Sequence, residues 1–164
     1  MTHRYLIALG SNRRHHRFGR PRDVLKAALE RLSEEGVAIA AAGPVLLTDP
    51  IGPSHRRYAN SAAVIETDLE PPELLALLKR IEREFGRRTG GQRWTSRVLD
   101  LDIVLWSGST FAAPDLTVPH LLYRERAFVL TPAARIAADW RDPITGLSIR
   151  QLHSRLTRPG TARR

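Results

Sequence analysis

Two aspartates stand in the run Arg97-Val98-Leu99-Asp100-Leu101-Asp102-Ile103. On a strand, successive side chains alternate faces. Asp100 and Asp102 therefore share one face, while Leu99, Leu101 and Ile103 share the other and can enter a core. Two carboxylates side by side on a rigid strand repel each other, and a divalent cation relieves that repulsion. Oxygen-only ligands favour magnesium, which takes a few carboxylates and completes its shell with phosphate oxygens. Positions i and i+2 lie about 6.6 Å apart at Cα, so the pair can bracket two ions about 3.5–4 Å apart. The plainer alternative is a pair of solvated acids on an edge strand.

A cluster of cations immediately precedes this pair: Arg87, Arg88, Arg93 and Arg97, with Trp94 among them. Guanidinium groups offer phosphate paired donors, and an indole offers a stacking face. Cations feeding a carboxylate strand suit phosphoryl transfer, which asks of a protein mostly charge neutralisation and alignment. A solvated basic loop is the alternative. Further on, Thr117-Val118-Pro119-His120 leads into Arg124-Glu125-Arg126-Ala127-Phe128. A lone histidine such as His120 is more often structural than ligand-bound. The His15-His16 pair in the first loop reads as exposed and without function. No Walker-type glycine loop is present, so an ATP site here has to be built from arginines and metal ions.

The elements that must hold these residues follow from periodicity. Residues 4–9 predict a buried strand closed by Gly10. A basic loop over 12–22 leads to a helix over 22–35, with Val24, Leu25, Ala28, Leu29 and Leu32 at helical spacing and Gly36 as its stop. Residues 37–48 predict a long strand with a break at Gly43-Pro44, and 59–67 another strand. Pro71-Pro72 opens a helix whose stripe is Leu74, Leu75, Leu78, Ile81 and Phe85. Residues 98–106 predict a strand. Helical stretches follow over about 124–138 and 148–156. The order β-α-β-β-α-β with C-terminal helical additions is the α+β, ferredoxin-like pattern, one sheet with helices on one face. Many functions share that fold, so function has to come from the site.

The 164 residues suit a single domain. There are no cysteines, which removes disulfides, zinc–thiolate sites and a thiol nucleophile together. No apolar run approaches the roughly 20 residues of a bilayer span, and the apolar stretch of the first residues is too short for a signal peptide. A cytoplasmic protein with no membrane partner is expected. The net charge is +9, and 24 of the 26 basic residues are arginines. Four of those lie in the 155–164 tail, expected to fray, which leaves +5 on the body. Such an excess points to an anionic partner, a nucleic acid or a polyphosphate.

Several blocks together resemble one family, the 6-hydroxymethyl-7,8-dihydropterin pyrophosphokinases of folate biosynthesis. They are Ala8-Leu9-Gly10-Ser11-Asn12, Asp49-Pro50-Ile51-Gly52-Pro53 with Tyr58-Ala59-Asn60, Gly86-Arg87, Arg93-Trp94 through Asp100-Leu101-Asp102-Ile103, Val118-Pro119-His120, and Arg124-x-Arg126-Ala127-Phe128-Val129-Leu130. The matches run in family order across about 8–138. The resemblance implies transfer of pyrophosphate from ATP to the pterin hydroxymethyl group, with AMP released. It implies two magnesium ions on Asp100 and Asp102, and phosphate contacts from Arg87 and Arg97. It implies a pterin pocket of Thr48, Ile51, Tyr58, Asn60, Trp94 and Phe128, in which Tyr58 and Phe128 sandwich the ring and Asn60 reads its edge. Glu82, Arg87, Trp94, Arg97, Ile103, Thr117, His120 and Arg126 match nucleotide contacts. A monomer that binds no nucleic acid is expected.

This chain departs from the family at Thr95-Ser96, where Gly-Pro is usual. It also departs at Thr89, Asp115 and Leu121, where Arg, Arg and Tyr are known, and at Lys79 in place of Gln. Two rival functions suit parts of the sequence. An RNA-binding module fits the element order and the charge, but strands 4–9 and 98–106 offer only Tyr5 and Trp106 as aromatics. A polymerase-like two-metal enzyme explains the aspartates but not Tyr58, Asn60 and Phe128.

Overall fold

The computed structural model describes residues 1–48, 57–86 and 98–158. The main sheet is formed by β1 (His3–Ser11), β2 (Ala38–Ala42), β3 (Leu46–Thr48), β4 (Tyr58–Thr67) and β5 (Asp100–Trp106). Its order is β2-β4-β1-β5, with β3 also paired to β4, and every pairing is antiparallel. The break at Gly43-Pro44 is real and divides β2 from β3. A short hairpin of β6 (Phe111–Ala113) and β7 (Leu116–Val118) follows β5. The Val118–Pro119 peptide is cis.

Helices α1 (Pro21–Glu34) and α2 (Pro71–Gly86) cover one face of the sheet. Each begins with proline at the first helical position, where the missing N–H costs nothing. Helix α1 stops at Gly36, whose φ of 88° admits no ordinary side chain without strain. Tyr5, Ile7 and Leu9 of β1, Ala63 and Ile65 of β4, and Leu101 and Ile103 of β5 face the two helices. Burying each of the larger aliphatics contributes about 1.5–3 kcal/mol.

The expectation of helices on one face alone does not hold. Helix α3 (Ala127–Ile136) and helix α4 (Ile149–Thr157) pack on the other face. There Leu6, Ala62, Val64, Val104 and Leu105 meet Val129, Leu130 and Ala133 of α3 and Ile149 and Leu152 of α4. Part of the sheet is thus sandwiched between two helical layers. Gly43 permits the approach, since a Cβ there would lie 3.0 Å from the Pro132 carbonyl oxygen and 3.2 Å from that of Ala62. The stretch expected as one helix over 124–138 is two pieces: a 3-10 turn (Tyr123–Glu125) and α3, separated at Arg126, which is extended. The tail expected to fray from Arg155 is helical through Thr157; residues 159–164 lie outside the described ones. Among the described residues no helix is long and apolar enough to cross a membrane.

Candidate active site

Partners across an antiparallel pair share a face, so the register decides which side chains meet. Leu46 lies opposite Asn60, Asn60 opposite Gly10, and Gly10 opposite Asp100. This row crosses four strands. The next row runs Ala62, Ala8, Asp102, and on the other side Thr48 faces Tyr58. All of these lie on the α3 face of the sheet. Asn60 and Asp100 are two strand spacings apart, about 10 Å. The floor between them is Gly10, Ala8 and Ala62, which have almost no side-chain volume. A Cβ on Gly10 would sit 3.2 Å from Asn60 Oδ1, so the Asn60 amide reaches over the glycine. Phe128, at the start of α3, stays exposed beside this floor, with the Arg126 guanidinium 5.6 Å from its ring centre.

The other edge of the site is built around β5. The His120 N–H donates to the Val104 carbonyl at 3.1 Å, and its ring Nδ1 accepts from the Leu122 N–H at 3.1 Å. That places the proton of the neutral ring on Nε2. Burial pushes the His120 pKa down; Asp102 opposes the shift and Arg126 adds to it. The three groups are therefore electrically close. Glu82, on α2, accepts from the Leu101 N–H through Oε2 at 2.7 Å and meets Lys79 Nζ through Oε1 at 3.5 Å. Burial pushes its pKa up, and the charges of Asp100 and Asp102 push the same way. Among the described residues no group of three or more His, Cys, Asp or Glu side chains is gathered to hold a metal. A cation held between Asp100 and Asp102 would take its remaining ligands from substrate oxygens and water, as suits magnesium rather than an all-protein cage.

The residues anticipated from sequence divide accordingly. Asp100, Asp102, Asn60, Tyr58 and Thr48 come together on one sheet face. Phe128, Arg126 and His120 belong to the segment bordering it. Thr117 is exposed on β7 opposite Ala112. Ile103 points the other way: its side chain is buried in the α1–α2 core, which leaves only its main chain to meet a nucleotide. Ile51, Arg87, Trp94 and Arg97 lie outside the described residues.

Compared with known proteins, residues 6–138 match the model of the 7,8-dihydro-6-hydroxymethylpterin-pyrophosphokinase family. The chain belongs to this family. It is an enzyme, a pyrophosphokinase of folate biosynthesis. The 2-amino-4-hydroxy-6-hydroxymethyldihydropteridine pyrophosphokinase of Pseudomonas aeruginosa is 42% identical over 147 residues, 87% of this chain and 86% of that one. The protein of the same name from Methylorubrum extorquens is 35% identical over 165 residues, 99% of each chain. The Plasmodium falciparum HPPK-DHPS crystal structure shares the fold, with a TM-score of 0.72 at 13% identity. That likeness covers 94% of this chain but 41% of the Plasmodium one.

Two residues of this pyrophosphokinase were missed at the level of sequence. His15 is buried, and only His16 is exposed. His15 closes a hairpin with Gly19 through both backbone bonds, and its Nδ1 accepts from the Arg17 and Phe18 N–H groups at 2.9 and 3.2 Å. Phe18 stacks on Phe85 of α2 at 4.8 Å, tying the basic first loop to the end of that helix. Asp142 is fully buried. It accepts from the Tyr123 hydroxyl at 2.7 Å, from Arg124 Nε, and from the Ile144 and Thr145 N–H groups at 2.8 and 3.3 Å. Burial pushes its carboxyl up, but those donors outweigh burial and hold it at about 2. Asp142 thereby ties the segment between His120 and Arg126 to the C-terminal part of the chain. Its signal in the sequence is Asp142-Pro143 with Gly146, a turn composition.

Proposed function

We propose that the chain transfers the terminal pyrophosphoryl group of ATP to the hydroxymethyl oxygen of 6-hydroxymethyl-7,8-dihydropterin, releasing AMP. The observation that carries this is the row Asn60–Gly10–Asp100, which sets a ring-edge amide and a pair of carboxylates about 10 Å apart over an empty floor. A flat ring fits that floor, with Asn60 at its polar edge and the aromatic rings of Tyr58 and Phe128 against its faces. Thr48, Ile51 and Trp94 complete the pterin pocket. Asp100 and Asp102 would hold two magnesium ions, which neutralise charge on the phosphates of ATP when bound.

The pterin hydroxyl oxygen forms a bond to the β-phosphorus and gives up its proton to solvent as the bond from that phosphorus to the α,β-bridging oxygen breaks, and AMP leaves with that oxygen and the bonding pair. Arg87 and Arg97 meet the phosphates as charge shifts to the leaving oxygen, donors of the kind whose loss typically costs about 10²–10³-fold in rate. Neutral His120 offers its Nε2–H to the nucleotide. Arg126, Thr117, Trp94 and the main chain at Ile103 complete the nucleotide side. A monomer acting as a single domain is part of this reading. The absence of cysteine supports a cytoplasmic setting.

The test is a single-turnover reaction of the protein with ATP, magnesium and the hydroxymethyl-dihydropterin, resolved by chromatography. AMP and the pterin pyrophosphate are the expected products. ADP as the main nucleotide product would overturn the reading.

A further inference from the structure

Strand β5 ends the order β2-β4-β1-β5, so one of its edges meets β1, and among the described residues no strand of that sheet meets the other. Backbone groups on such an edge go unpaired unless something covers them. At Leu101 the cover is a side chain: Glu82 Oε2 takes the Leu101 N–H at 2.7 Å. Leu101 stands between Asp100 and Asp102. The bond therefore grips the strand midway between the two carboxylates that lie on the site face.

The choice of a carboxylate for this task carries a cost. The Glu82 side chain is only 13% exposed, and its ion-pair partner among the described residues, Lys79, is half exposed at 3.5 Å. Two further negative charges, Asp100 and Asp102, lie close enough to work against its ionised form. A glutamine amide oxygen could accept the same N–H without that repulsion. A charge that strains the free protein is useful where a cation arrives to offset it.

We propose that Glu82 is a positioning residue for the aspartate pair: by holding the Leu101 N–H at the open edge of β5, it fixes how Asp100 and Asp102 present themselves to a divalent cation. Its own charge, one layer further out, strengthens the hold on that cation. This rests on the reading of Asp100 and Asp102 as cation ligands. It departs from the role that the resemblance implies for Glu82, direct contact with the nucleotide, because both carboxylate oxygens are engaged within the protein. Groups that orient metal ligands from behind typically change affinity or activity by about 10–100-fold when removed.

The experiment uses the full chain and the variants Glu82→Gln, Glu82→Ala and Asp102→Ala. Hydrogen exchange at the Leu101 amide is read by NMR in the metal-free protein. Manganese binding is read by electron paramagnetic resonance in the presence of α,β-methylene-ATP. Affinity for that analogue is also read with the metal chelated. In Glu82→Ala, Leu101 exchange should speed up at least about tenfold and manganese affinity should fall about 10–100-fold. Glu82→Gln, which keeps an acceptor and should fold as the parent does, should keep slow exchange and lose less of the metal affinity. Analogue affinity without metal should stay level in both. If Leu101 exchange is unchanged in Glu82→Ala, or if metal-free analogue affinity falls as far as manganese affinity does, Glu82 is not a positioning residue. If Asp102→Ala itself leaves manganese binding intact, the ligand assignment beneath the proposal fails, and Glu82 falls with it.

Discussion

The two faces of one sheet have been given opposite work. Toward α1 and α2, strands β1, β4 and β5 present Tyr5, Ile7, Leu9, Ala63, Ile65, Leu101 and Ile103, all buried. One residue along in each strand, toward α3, they present Ala8, Gly10, Asn60, Ala62, Asp100 and Asp102. The backbone is shared, and only the side-chain volume and polarity differ. One face is filled to hold the fold, and the other is emptied so that something else can lie on it. Rigid strands supply the spacing for both. Polar and like-charged residues can therefore be gathered on the emptied face while the filled face carries the stability.

The sharpest way to break that contrast is to mutate one face and look for effects that belong to the other. Asp102→Ala should bring turnover to background, with thermal stability unchanged or raised, since one of two repelling carboxylates is gone. Steady-state assays at saturating magnesium and a melting curve check this, and near-parental activity would remove Asp102 from the ligand set. On the filled face, Ile7→Ala should cost about 2–5 kcal/mol in urea unfolding and leave pterin affinity as it was in the folded fraction. A cost within the about 0.5 kcal/mol typical of surface changes would mean the division is misdrawn.

A smaller change probes the floor itself. Gly10→Ala places a methyl 3.2 Å from Asn60 Oδ1, so the amide has to shift by a few tenths of an ångström. The fold should persist and pterin affinity should fall about tenfold, or about 1.4 kcal/mol, by fluorescence titration. Unchanged affinity would show that Asn60 does not read the ring. The smallest effect concerns His15, whose pKa is pushed below the ordinary 6.5 by burial first, then by His16 and Arg17, against a bond to the Phe85 carbonyl. Above that value the ring is neutral in folded and unfolded chains, and the hairpin keeps its full contribution. As pH falls below it, the unfolded chain takes the proton first, and stability drains until the lower folded pKa is passed. Amide exchange at Arg17 and Phe18 should accelerate over that window, and flat protection would mean the imidazole is not what holds the turn.

What the sequence disclosed follows the same division. The alternation at Leu99–Ile103 is strict, so both the core residues and the exposed face of Asp100 and Asp102 could be read directly. The helices were legible because Leu74, Leu78, Ile81 and Phe85 keep one stripe. The β6–β7 hairpin was not, since three residues are too few to alternate visibly. The placement of α3 and α4 was also hidden, because nothing local says which face of a sheet a later helix will cover. His15 escaped for a third reason: its burial depends on Phe18 and Phe85, and Phe85 comes from far along the chain. The row from Asn60 to Asp100 needed the register of two strand pairs, which no single segment contains.

Strand β5 also carries a β-bulge, the register shift opposite Leu6 and Ile7. Before it, Leu101 and Ile103 join the α1–α2 core; after it, Val104 and Leu105 both join the α3–α4 core. The extra residue resets the alternation, so the two halves of the strand keep separate phase. Substitutions that adapt the apolar half to its helices need not rotate the acidic half out of line. In evolutionary terms the bulge acts as a joint between two modules, one free to drift with its packing while the other stays under the constraint of its reaction.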